Sequence, residues 1–135
     1  MQNKGLPLEL FLEEGFWYLA SPYSKYEDGI ELANEHVCLV ALELIERGVP
    51  IFAPIPHSHA ISVATGKNPK DHEFWMDVDE PMMAAAHGLI VPMMKGWRES
   101  EGVQIERSEF RDSGRPIVRI DPAVLGLEIP VDLEE

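Results

Sequence analysis

The sequence predicts an α/β domain built on a parallel sheet with helices on both faces. Three observations lead there. Short apolar runs of strand length alternate with longer stretches of helical periodicity. The two kinds follow one another strictly: strand, helix, strand, helix, strand, helix, strand. The chain, at 135 residues, is one domain by length and long enough to bury a real core. Such alternation requires right-handed crossovers and gives a doubly wound, three-layer sheet of the Rossmann or flavodoxin kind.

Residues 1–15 contain acids and no clean apolar stretch, and are expected to form an appended arm packing on a neighbouring subunit. "FWYLA", Phe16 to Ala20, is an apolar and aromatic run stopped by "SPYS", which predicts a buried first strand. From Glu27 to Arg47 the apolar positions Ile30, Ala33, Val37, Val40, Ala41 and Leu44 form a helical stripe, and Gly48 ends it. "VPIFAP", 49–54, predicts the second strand, with its prolines near the ends. Residues 57–72, "HSHAISVATGKNPKDH", are expected to form a loop that includes at most a short helix. "EFWMDVDEPMMAAA", 73–86, predicts a second helix, in which Pro81 must mark a start or a kink. "GLIVPMM" predicts the third strand, Val103 to Asp112 the third helix and "PIVRI" the fourth strand. Residues 121–135 are expected to be an irregular acidic tail.

Composition narrows the function. The net charge is −13, and a field of that sign repels a phosphate polymer, so no nucleic-acid polymer is expected as partner. A single small anion remains compatible with it. No apolar run approaches the ~18 residues of a membrane span, and the first residues do not resemble a signal peptide. With a single cysteine, Cys38, expected in the core, the chain reads as cytoplasmic and free of internal disulfides. No G-x-G-x-x-G or Walker sequence occurs, which disfavours kinases and dehydrogenases, and no cofactor is expected.

In an open parallel sheet the ligand crevice lies beyond the carboxyl ends of the strands. The loops that leave those ends carry Ser21, Pro22 and Tyr23; His57 and His59; and Trp97, Ser100 and Gly102. On the third helix Val103, Glu106 and Phe110 share one face, so a carboxylate sits where burial is expected. A Glu ionised there and poorly hydrated is a nucleophile or base; the structural alternative is a Glu bonded to a core Tyr or Arg. Asp79, just before Pro81, reads as a helix N-cap or as a second carboxylate facing the crevice. Tyr18 ends the first strand and is a packing residue by itself. His57 and His59, an H-x-H, suit ligand contact better than zinc, since no cysteine or H-E-x-x-H accompanies them; no metal is assigned. Trp97 in a polar loop suits stacking on a base or sugar, or an oligomer interface.

"YLASPYS", "DEPMMAAAHGLIV" and "GVQIE", in this order, resemble the nucleoside 2-deoxyribosyltransferase superfamily. The combination of "SPYS", "APIPHSHAI" and "GWxxSxGVQxE" is most similar to a small branch of it, across roughly Phe16 to Ile120. The resemblance implies chemistry at an N-glycosidic bond, a Glu nucleophile at Glu106, an acid or sugar-orienting group at Asp79, and Tyr18 steadying the nucleophile. It also implies a homo-oligomer, dimer or tetramer. Three departures stand out: "ERSEF" replaces the small residues that usually follow the nucleophile, His87 stands where an acid usually opens the third strand, and the C-terminal carboxylate that some transferases lend to a neighbour's site is not recognisable in "VDLEE". The expected substrate is a small nucleoside or 5′-nucleotide touching Ser21, Tyr23, His57 and His59, with Ser100 and the amides near Gly102 receiving a 5′-phosphate. The alternatives are a non-catalytic nucleotide-sensing module and a metal-dependent hydrolase using His57, His59 and Asp77.

Overall fold

A computed structural model of the protein describes residues 5–11 and 14–133; the expectations for positions 1–4, 12–13 and 134–135 lie outside the described residues. The elements in order are β1 (Trp17–Leu19), α1 (Ile30–Glu46), β2 (Ile51–Phe52), α2 (Pro54–Thr65), α3 (His72–Ala85), β3 (Gly88–Pro92), α4 (Glu101–Asp112) and β4 (Ile117–Ile120), with short 3₁₀ turns at Leu8–Leu10 and Pro122–Leu125. The four strands pair in parallel in the order β2-β1-β3-β4. This is the doubly wound α/β fold, with the flavodoxin-like order that puts the switch point between β1 and β3.

The two-residue side-chain period of the strands sorts the core into two layers. Trp17, Leu19, Ile90, Val118 and Ile120 face α1 and its stripe of Ala33, Val37, Val40, Ala41 and Leu44. Tyr18, Ala20, Leu89 and Val91 face the other way, against Met83 of α3 and Val103 and Phe110 of α4. Gly88 opens β3 because nothing larger fits: a Cβ there would lie 2.5 Å from the Trp17 ring and 2.7 Å from the Pro116 carbonyl oxygen.

Four expectations change. Residues 54–65 form a full helix rather than a loop. Pro54 takes the first helical position and Pro56 stays in the first turn, where a missing N–H costs nothing. Gly66, at φ 82°, closes the helix through its N–H to Ser62 O at 2.8 Å. Secondly, α3 is capped by Asp71, whose side chain accepts from Phe74 N, and runs through Pro81; Asp79 is therefore interior to the helix and not an N-cap. Thirdly, Cys38 is exposed, because it lies one residue, ~100°, round from Val37 in the buried stripe. Finally, the described part of the N-terminal arm packs on its own chain: Leu6 and Leu10 are buried, and the Trp17 indole donates to Leu10 O at 3.1 Å.

The C-terminal segment is more ordered than its composition suggests. Met94 and Val131 form an antiparallel bridge, and Lys95 N and Asp132 N bond Pro130 O and Met93 O. The Trp97 indole donates to Asp132 O at 2.7 Å, and Arg98 pairs with the Asp132 carboxylate at 2.9 Å. Residues 130–132 thus strap the loop that leads into α4.

Candidate active site

A pocket of about 320 Å³ opens beyond the carboxyl ends of the strands. Four segments build its walls. The loop after β1 supplies Ser21, Tyr23, Ser24 and Lys25; α2 supplies Pro54, Ile55 and Ser58; α3 and the turn before it supply Pro69, Lys70, His72, Trp75, Met76 and Asp79; and the start of α4 supplies Ser100, Glu101, Gly102, Ile105 and Glu106. On α3 the lining positions are i, i+3, i+4 and i+7, one face of the helix.

Glu106 occupies the place its spacing predicted. Val103 and Phe110, on the same face, are fully buried against the sheet, and Glu106 between them reaches the pocket. Loss of hydration pushes its carboxyl up to about 8; the Tyr18 hydroxyl opposes this and the charge of Asp79 adds to it. Asp79 is also pushed up, to about 6, by burial, with His57 and His72 pulling it down. The two acids thus face one pocket from two helices, each holding its proton more tightly than an ordinary carboxyl. Tyr18 lies on β1 behind Glu106. Its hydroxyl is fully buried, has no hydrogen bond of standard geometry, and is held far above the ordinary tyrosine range by burial and then by Glu106 and Asp79. A buried donor of this kind, influencing Glu106 at close range, is poised to bond the ionised carboxylate.

The remaining expected residues divide. Ser21 lines the pocket with its hydroxyl buried and unpartnered, and Tyr23 lines it as well. His59 is buried behind Tyr23, sharing a 2.7 Å hydrogen bond with the tyrosine hydroxyl, so it orients Tyr23 and does not line the pocket. His57 is exposed on α2 and acts on the site only through its charge on Asp79. Pro22 is buried outside the lining. Ser100 and Gly102 line the pocket, and the Ser100 oxygen also caps its own helix, accepting from Val103 N at 3.2 Å. Trp97 is a correction. It is 1% exposed, bonded to Asp132, flanked by Arg98 and Arg107, and does not line this pocket. The aromatic wall is Trp75, whose indole N–H is tied to Asn68 O at 3.0 Å.

His72, Trp75, Met76, Ser58, Lys25 and Lys70 are among the lining residues to which sequence reasoning gave no site role. The period of α3 around Asp79 carried the signal for the first three. Among the described residues no three or more His, Cys, Asp or Glu side chains are placed to hold a metal ion, and His57, His59 and Asp77 do not converge.

The family described as "Domain of unknown function (DUF1937)" matches residues 15–121, and the chain belongs to it. No curated protein matches the chain at a significant level.

Proposed function

We propose that this member of the DUF1937 family breaks the N-glycosidic bond of a nucleoside or 5′-nucleotide through a glycosyl-enzyme intermediate. The observation that carries the proposal is the pair of proton-holding carboxyls, Glu106 and Asp79, facing one pocket with the Tyr18 hydroxyl behind Glu106. The resemblance to nucleoside 2-deoxyribosyltransferases supports the same assignment. A volume of about 320 Å³ suits a nucleoside-sized ligand.

In the first step the Glu106 carboxylate forms a bond to the anomeric carbon as the carbon–nitrogen bond breaks. The electron pair of that bond goes to the base nitrogen, which takes the proton of Asp79. Tyr18 donates to Glu106 while it is ionised. In the second step Asp79, now a carboxylate, takes a proton from water as its oxygen attacks the same carbon and releases Glu106. A second base in place of water would make the protein a transferase; water as acceptor is the reading adopted. The resemblance also implies a homo-oligomer; Trp97 is buried and offers no surface for it, whereas Leu8 of the arm is exposed.

The test is base release from a panel of nucleosides, 5′-nucleotides and NAD, with and without an acceptor base. Free base from the wild type, abolished in Glu106→Ala and reduced about 10²–10⁴-fold in Asp79→Asn, is the expected result. Full turnover by Glu106→Gln would overturn the mechanism. A second reading, a nucleotide-binding module without turnover, draws on one observation: an acid at about 8 is mostly protonated at neutral pH. It predicts binding without base release, and binding that survives Glu106→Gln.

A further inference from the structure

We propose that Lys25 and Lys70 form an anion clamp at the mouth of the pocket and select a phosphorylated substrate, a nucleoside 5′-monophosphate over the free nucleoside. The substrate's nucleoside part rests on the function proposed above; the clamp itself rests on separate observations.

The first is that these lysines are unemployed. Among the described residues every other lysine and arginine is engaged. Lys67 and Lys95 pair with Asp71 and Glu27. Arg47, Arg98 and Arg111 pair with Glu43, Asp132 and Asp112. Arg107 bonds Gln104, Arg115 bonds two backbone carbonyls, and Arg119 also has a partner. Lys25 and Lys70 make no hydrogen bond, ion pair or ring contact through their side chains, and both line the pocket. In a chain of net charge −13, two ammonium groups without a partner line one pocket.

The second observation is that both lysines ride on pinned backbone. The turn carrying Lys25 is closed by Tyr26 N to Tyr23 O at 3.1 Å, and Tyr26 is fixed by a 2.8 Å bond to His36. The turn carrying Lys70 is closed by Lys70 N to Asn68 Oδ1 at 2.9 Å, and Asn68 O also receives the Trp75 indole. The two turns come from different loops and both line the pocket, so the backbone under each lysine is held.

The third concerns the other candidate for the phosphate, the N-terminus of α4. There the Ser100 oxygen already accepts from Val103 N, and Glu101 lines the pocket beside it. A carboxylate at that position opposes a phosphate dianion. The neutral hydroxyls of Ser21 and Ser58 and the apolar wall of Ile55, Trp75 and Ile105 suit sugar and base, which leaves the rim lysines to meet the charge.

The test is calorimetric titration of the full chain with purine and pyrimidine 5′-monophosphates and their matched nucleosides. Base release is measured in parallel. The expected result is that at least one monophosphate binds the wild type about tenfold or more tighter than its nucleoside. In Lys25→Met/Lys70→Met that advantage disappears while nucleoside affinity is kept. Equal affinity for both forms in the wild type, an advantage that survives in the double variant, or no binding of any monophosphate would each overturn the clamp. The two proposals fail separately. Clamp-dependent binding without base release leaves the clamp and removes the glycosidase. Equal cleavage of nucleosides and monophosphates does the reverse.

Discussion

At the scale of single residues the site is two acids facing one pocket, each with its value raised by burial. Glu106, at about 8, and Asp79, at about 6, are coupled through charge, so their titration belongs to the pair. The single proton sits mainly on Glu106, the more basic of the two, so the proposed chemistry, which needs Asp79 protonated and Glu106 ionised, runs through the minor one-proton form. Below about 6 the pair gains a second proton and loses its nucleophile; above about 8 it loses its acid. The rate of base release, as kcat/KM, is therefore expected to rise and fall with limbs near those values. Since the Tyr18 hydroxyl lowers the Glu106 value, Tyr18→Phe should move the alkaline limb upward. A profile flat from pH 5 to 9 would count against the pair. Glu106 was legible in the sequence because a helix has a strict period: a charge between Val103 and Phe110 has only one place to go. Trp97 misled because a large aromatic in a polar loop gives no hint of what covers it. Its cover is Asp132, 35 residues away. A contact of that span leaves no local pattern.

At the scale of elements, four strands and three helices were legible, and α2 was not. Its sequence, rich in Ser, His and β-branched residues with two prolines, has weak helix propensity. Proline placement in the first turn and a left-handed Gly66 decide the matter, and both are positional signals rather than compositional ones. The capping of α3 failed similarly, because Asp71 and Asp79 are equally plausible caps until the path of the chain is fixed. Close approach makes one element boundary testable. Gly88→Ala would drive a methyl into the Trp17 ring and the Pro116 carbonyl, one of which must move. Destabilisation of about 1–3 kcal/mol is expected, visible as a fall of several degrees in Tm by calorimetry. An unchanged Tm would mean that β1 and β3 are less tightly apposed than a 2.5 Å approach implies.

At the scale of the whole molecule, the proposed nucleophile is a burden on the fold. An acid whose value rises on folding binds its proton more tightly folded than unfolded. Its stabilising effect is complete below the unfolded value of 4.5 and is lost as pH rises through about 8. The cost is near 1.4 kcal/mol per pH unit across that window, or about 3 kcal/mol at pH 7. Glu106→Gln, which keeps the shape and discards the charge, should therefore unfold at a higher temperature than the wild type at pH 8. The two should converge toward pH 5. A variant no more stable than the wild type at pH 8 would show that the carboxylate is better solvated than its position implies. The strap at residues 130–132 has a different consequence, one of order in time. Synthesis runs from the N-terminus, so Tyr18, Asp79 and Glu106 all leave the ribosome before the strap that fastens the loop ahead of α4. A nascent chain that has not yet exposed residue 132 carries every group of the proposed mechanism and lacks the clasp on the loop ahead of α4. Completion of the site is thus tied to the emergence of residues 130–132.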